Sequence, residues 1–219
     1  MSPPCSDQFD LRNSEVFRTE AERRLFDLEM NRIEIGQRGR WMASSSKRGH
    51  SVAAVRSLDA VKSDFRTFAK DTTPPPFAWE AYVAQRSPTE YWQSEGKLPH
   101  FIKCAFEGVV RITQIAVYLD FPTDQSYTPL HLTVHWGMSP FELFPMDSTS
   151  AHQFDVEISE PSGWIFLLSD GPIVNGEGHC STPLLVARCV TLAVLKNHRG
   201  GNDTRIREVR VYTEKESQR

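Results

Sequence analysis

The chain predicts an all-β, antiparallel sandwich or barrel, and three observations carry that prediction. From Tyr91 onward, apolar and polar residues alternate with period two, as half-buried strands require. The alternating runs are separated by Pro, Gly, Asp and Ser. No helical period of crossover length lies between them, which excludes a parallel α/β sheet.

Each element follows from its pattern. Ile102, Cys104 and Phe106 share one face, as do Ile115, Val117 and Leu119. Leu130, Leu132, Val134 and Trp136 alternate with His131, Thr133 and His135, and Phe154, Val156 and Ile158 with Asp155 and Glu157. Gly163 to Leu168 reads as another strand. The run from Leu184 to Leu195 is apolar on both faces and is expected at the sheet centre. Val209 and Val211 are expected to point inward, with Glu208 and Arg210 outward. The stretch from Leu195 to Tyr212 reads as two strands joined by a polar hairpin tip, with Gly200 and Gly201 free to take positive φ. Ahead of the β region, Ser14 can cap a helix carrying Glu15 in its first turn. Phe17, Ala21, Leu25 and Leu28 then recur at helical spacing until Gly36 and Gly39. That single apolar stripe predicts a helix packed on the main domain. Residues 1–32 are therefore an N-terminal extension, 33–213 the β domain with a long insertion at 56–88, and 214–219 a tail. Within the insertion, Val61 to Lys70 can form a short helix, and Thr72 to Pro76 is a stiff break.

Composition narrows the function. The 219 residues are 39% hydrophobic, 11% aromatic and 24% charged, with a net charge of −3. So nearly neutral a chain does not advertise nucleic acid or membrane as its partner. The basic stretch around Trp41 is short and rich in Ser, and reads as a solvated loop. The longest apolar run contains Arg188 and is too short to span a bilayer. The beginning, with Pro3, Pro4 and Asp7, has no basic and then apolar segment of signal-peptide kind, and four cysteines without framework spacing fit a reducing compartment. An intracellular protein is expected.

Catalysis and metals find little support. On a strand, His131 and His135 lie about 13 Å apart, too far to share one zinc ion. No Ser-nucleophile elbow or phosphate-binding glycine loop occurs. His198 and Asp203, with Ser94 or Ser126 as hydroxyl, have no spacing that supports an acid–base assembly. The expectation is a non-catalytic binding protein without cofactor or metal.

Three segments then become informative together. They are Glu34, Gly36, Trp41, Ser44, Ser45, Lys47 and Gly49; Tyr91 to Gly96 with Pro99 and His100; and Asn197, His198, Gly201, Asp203, Thr204, Ile206 and Arg207. Ser126 to Pro129 and Glu160 to Trp164 lie between them in order. This pattern resembles the DOC-domain subunit family of the anaphase-promoting complex, over roughly residues 33–55 and 89–213. The resemblance implies a galactose-binding-like jelly-roll β-sandwich. It implies a non-catalytic subunit that holds destruction-box degrons together with a WD40 coactivator, promotes processive ubiquitination, and contacts scaffold and tetratricopeptide subunits of the ligase in nucleus and cytoplasm. Carried over by motif, the degron-binding candidates are Asn197, His198, Ser126, Tyr127, Asp203 and Arg207, with Trp41, Ser45 and Lys47 placed near the same end. Asn197 and His198 are expected to touch the ligand. Asp203 and Arg207 are spaced so that they could instead pair with each other. A DOC module of a cullin or HECT-type ligase, or a carbohydrate-binding jelly roll, are the alternatives. Glu95 stands where the family usually has Asp. Members often end in an Ile-Arg tail that docks a tetratricopeptide subunit, and here Gln218 precedes Arg219.

Overall fold

The computed structural model describes residues 19–56, 88–139, 152–168 and 184–215, together with the backbone of 173–174 and 180–181. The expected helix at Val61 to Lys70, the break at Thr72 to Pro76, the Ser14 cap and residues 216–219 of the tail lie outside the described residues, while Glu214 ends β13 (Glu208–Glu214). Two antiparallel sheets face each other. One has five strands in the order β2 (Arg40–Ala43), β4 (His100–Ile112), β11 (Leu185–Asn197), β6 (Pro129–Gly137) and β7 (Gln153–Glu157). The other has four, in the order β1 (Arg32–Glu34), β13 (Glu208–Glu214), β5 (Gln114–Asp120) and β8 (Ser162–Phe166). Two small ladders join β3 (Trp92–Gln93) to β12 (Arg205–Ile206) and β9 (Ile173–Val174) to β10 (Cys180–Ser181).

The period-two reading survives in detail. Ile102, Cys104, Leu132, Val134, Ile115, Val117, Leu119, Val190, Leu192, Val194, Val209 and Val211 fill one buried core between the sheets. The run apolar on both faces is β11, the central strand of its sheet.

Three expectations are corrected. The stretch from Leu195 to Tyr212 is no hairpin. β11 and β13 belong to different sheets, and the chain crosses between them through a short helical turn at His198–Gly200 and the β12 strand. Gly200 does take a positive φ of 70°, but Gly201 does not, and Arg199 shares the left-handed region at 52°. Next, Glu208 and Arg210 do not face solvent: they are 0% and 1% exposed. The third correction is the end of the helix, which falls ahead of Gly36. The described helix is α1 (Glu20–Asn31), and Thr19 is its N-cap, where Thr19 and Glu22 form a reciprocal capping box. It ends at Asn31, and the chain continues at once into β1 on the edge of the four-stranded sheet.

α1 covers the outer face of that sheet. Leu25 and Leu28 pack with Ala116, Trp164 and Tyr212, each such buried leucine contributing roughly 1.5–3 kcal/mol. Glu29 supplies the countercharge for what it buries. Its carboxylate accepts from Arg210 Nη1 at 2.5 Å and from the Tyr212 hydroxyl at 2.7 Å. The Arg210 guanidinium also lies 5.1 Å from the Trp164 ring centroid. Burial works against the Arg210 charge, but Glu29 and its neighbours outweigh it and hold the group ionised. Burial, with Glu29 second, pushes the Tyr212 phenol up, so it stays a neutral donor. Removing one partner of a buried pair leaves the other charge uncompensated, at a cost of about 3 kcal/mol or more. Glu29→Ala is therefore expected to lower the unfolding free energy by about 3 kcal/mol in urea denaturation. A loss below about 1 kcal/mol would show that α1 does not secure Arg210.

Candidate functional site

The ends of β2, β5 and β11 and the beginnings of β4 and β6 lie at one end of the sandwich, because His100 pairs with Val194, Ile102 with Ala43, and Asn197 with Pro129. Four loops meet there: residues 44–50, 91–97, 121–128 and 197–207.

Asp124 fixes how they meet. Its carboxylate is 2% exposed and sits at the end of a single helical turn, Phe121–Asp124, entered through Pro122. Arg207 reaches it with both edges of its fork, Nε to Oδ2 at 2.8 Å and Nη2 to Oδ1 at 2.9 Å. Arg205 Nη1 joins at 3.3 Å, and Arg207 Nη1 donates to the Pro88 carbonyl at 3.0 Å. Burial opposes the Arg207 charge, but the hydrogen bonds and charge of Asp124, with Asp120 beyond, raise the guanidinium above its ordinary range. Asp203 therefore does not pair with Arg207. It accepts instead from Gln93 Nε2 at 3.2 Å and the Gly96 amide at 3.3 Å, which ties it to the neighbouring loop.

Asn197 and His198 are also placed differently from expectation. Both are buried, at 3% and 7% exposure. The Asn197 amide donates to Asp203 O at 2.9 Å, Thr204 Oγ1 at 3.0 Å and Gly201 O at 3.3 Å, and its Oδ1 accepts from the Thr204 hydroxyl at 3.2 Å. His198 lies 3.1 Å from the Thr128 carbonyl through Nδ1 and accepts the Glu160 amide through Nε2 at 3.2 Å. That pair of contacts selects the tautomer with the proton on Nδ1. The polar atoms of both side chains are committed to the crossing that carries the chain between the sheets.

Ser126, Tyr127 and Asp203 are partly exposed and, with Gly201 and the exposed Asn202, line a polar cavity of about 300 Å3. Gly201 is required there by proximity rather than by φ, since a Cβ at that position would come within 1.8 Å of the Ser126 carbonyl oxygen. Ser45 and Lys47 join the same end through the 91–97 loop. The Ser45 hydroxyl accepts from the Glu95 amide at 3.0 Å, and the Lys47 amide donates to Gln93 O at 2.8 Å, leaving the Lys47 side chain in solvent. Trp41 stands apart. It pairs with Cys104 along the sheet, and its indole N–H donates to Gly36 O at 2.9 Å, beside the buried Glu34–Arg56 ion pair at 2.9 Å. Arg56 is thus an internal partner, its guanidinium also donating to the Val209 carbonyl.

One feature escaped the sequence. His50 stacks on Tyr91 with centroids 4.4 Å apart and planes 7° from parallel. The Arg205 guanidinium lies 4.5 Å from the Tyr91 centroid and 4.1 Å from that of Tyr127. A column of His50, Tyr91, Arg205 and Tyr127 so links all four loops by π and cation–π contact. Its one visible signal was the Arg205–Ile206–Arg207 alternation, which buries Ile206 and turns both guanidinia the same way.

The two sheets and these loops define a galactose-binding-like jelly roll that presents a polar loop surface at one end. Residues 82–219 match the family described as anaphase-promoting complex, subunit 10 (APC10), and the chain belongs to that family. It is 30% identical over 122 residues to the anaphase-promoting complex subunit 10 of Drosophila melanogaster, covering 56% of this chain and 55% of that protein. To the Dictyostelium discoideum protein of the same name it is 27% identical over 191 residues, covering 87% and 78%. The chain thus spans just over half the length of the Drosophila relative. Among solved structures, a part of the Clostridium perfringens ZmpB chain that holds two carbohydrate-binding modules and a catalytic domain has this fold. That likeness has a TM-score of 0.50 and 9% identity, covering 88% of this chain and 16% of that one.

Gly201→Ala is expected to separate the 197–207 and 121–128 loops. In a thermal melt it should cost about 1–3 kcal/mol, the range for overpacking, whereas Gly108→Ala, with open space around its Cβ position, should be nearly neutral. Equal effects of the two would contradict the packing described.

Proposed function

We propose that the protein is a non-catalytic subunit of an anaphase-promoting complex ubiquitin ligase. In this reading it serves with a WD40 coactivator as co-receptor for destruction-box degrons and raises the processivity of ubiquitination, in nucleus and cytoplasm. Family membership supports the assignment. The observation that carries it is the convergence of the family's motif segments, distant in sequence, around one polar cavity at one end of the jelly roll. An extended peptide needs hydroxyl, carboxylate and cationic partners on a rigid support. Ser126, Tyr127, Asp203, Ser45 and Lys47 supply those groups, while Asn197, His198 and Arg207 position the loops that carry them. So small a contact set binds weakly alone. It gains strength when the coactivator holds the same peptide, because the second contact is then intramolecular.

Affinity purification from the source cell is expected to recover the scaffold and tetratricopeptide subunits of the ligase. In ubiquitination assays, Tyr127→Ala should shorten the chains added per binding event several-fold while leaving assembly and melting temperature near wild type. Purification without any cullin-like or tetratricopeptide ligase subunit would overturn the proposal.

A further inference from the structure

The charges around the cavity do not balance. Arg205 and Arg207 face three carboxylates, Asp120, Asp124 and Asp203, and the first two aspartates take up both guanidinia. Among the described residues, Asp203 receives hydrogen bonds only from neutral donors, the Gln93 amide and the Gly96 N–H. Those two bonds leave a carboxylate with further acceptor capacity and its charge uncompensated. It lies on the cavity wall, with Ser126, Tyr127 and Asn202 as the other side chains. Beneath Tyr127, Arg205 is wedged against the ring and bonded at its edges to Gln93 and Asp124, at 3.0 Å and 3.3 Å. The ring is thereby held fixed as part of the cavity wall.

We propose that this cavity is a subsite for a basic side chain, an arginine before a lysine, of the peptide held at this end of the jelly roll; the proposal rests on the degron-binding reading above. Asp203 supplies the countercharge and Tyr127 an aromatic surface. A planar guanidinium uses both, since it can fork onto a carboxylate and lie against a ring, where an ammonium is a point charge. Asn202 and Ser126 add neutral acceptors at the rim. An acidic side chain in the same place would meet Asp203 without a cation between them.

The test uses the full chain and small probes. Blocked arginine (Nα-acetyl-arginine N-methylamide) is titrated against the 15N-labelled protein and compared with blocked citrulline, which keeps the shape and loses the charge, and with blocked glutamate. Arginine is expected to shift the amides of Tyr127, Gly201, Asn202 and Asp203, and citrulline to bind about fivefold more weakly, the order of one Coulomb contact at a wet surface. Because Asp203 also holds the 91–97 loop, charge is varied at the exposed Asn202. Asn202→Asp should tighten arginine and Asn202→Lys weaken it, each by roughly fivefold. Equal binding of citrulline, preference for glutamate, or inverted effects at residue 202 would overturn the subsite. None of these outcomes touches the recovery of ligase subunits or the processivity defect of Tyr127→Ala, so failure of the subsite and failure of the degron reading are separately visible.

Discussion

The buried Asp124 carboxylate is the contact on which the loop end of this molecule depends. It sits where β5 leaves the four-stranded sheet for the five-stranded one, and it receives Arg205 and Arg207 where the chain returns the other way. Two crossings between sheets, separated by some eighty residues of sequence, are thus fastened to one side chain. A buried carboxylate is tolerable only when paired and hydrogen-bonded, and both conditions are met by the fork of Arg207. Arg205, bonded to the same carboxylate and to Gln93, lies 4.5 Å from the Tyr91 centroid and 4.1 Å from that of Tyr127. The loop surface is in this sense built outward from a charge pair.

The division of labour at this end follows from burial. Asn197, His198, Thr204 and Arg207 spend their hydrogen-bonding capacity inside the loops, while Ser126, Tyr127, Asn202, Asp203 and Lys47 are left to meet solvent. A motif residue can therefore be indispensable to a binding surface without touching the ligand. The far face obeys the same rule. Glu29 makes it possible to bury Arg210, and α1 becomes part of the domain instead of an appendage.

Much of the fold was legible in the sequence because the inter-sheet core is written with period two, and side chains such as Val209 and Val211 announce their face. What was not legible depended on partners distant in the chain. Arg210 looks like a solvent-facing residue until Glu29 of α1 is laid against it, and nothing in the alternation reports a helix some 180 residues earlier. Likewise, Asp203 and Arg207 sit at a spacing that suggests a local pair, yet Asp124 competes from another loop with better geometry. Motif order pointed to loops that the fold brings to one end of the sandwich. Trp41 was drawn toward it because a sequence pattern gives order along the chain but no depth, and its indole is in fact tied to Gly36.

Hydrogen exchange on Asp124→Asn tests this account most directly, because the substitution removes the charge and keeps the shape. Unpairing Arg207 should open residues 91–97, 121–128 and 197–207 to exchange by a factor of a hundred or more, the equivalent of about 3 kcal/mol for a broken buried pair. Amides in the centres of β4, β6 and β11 should stay protected relative to those loops. Wild-type protection throughout the three loops would mean that Asp124 does not hold the loop end together.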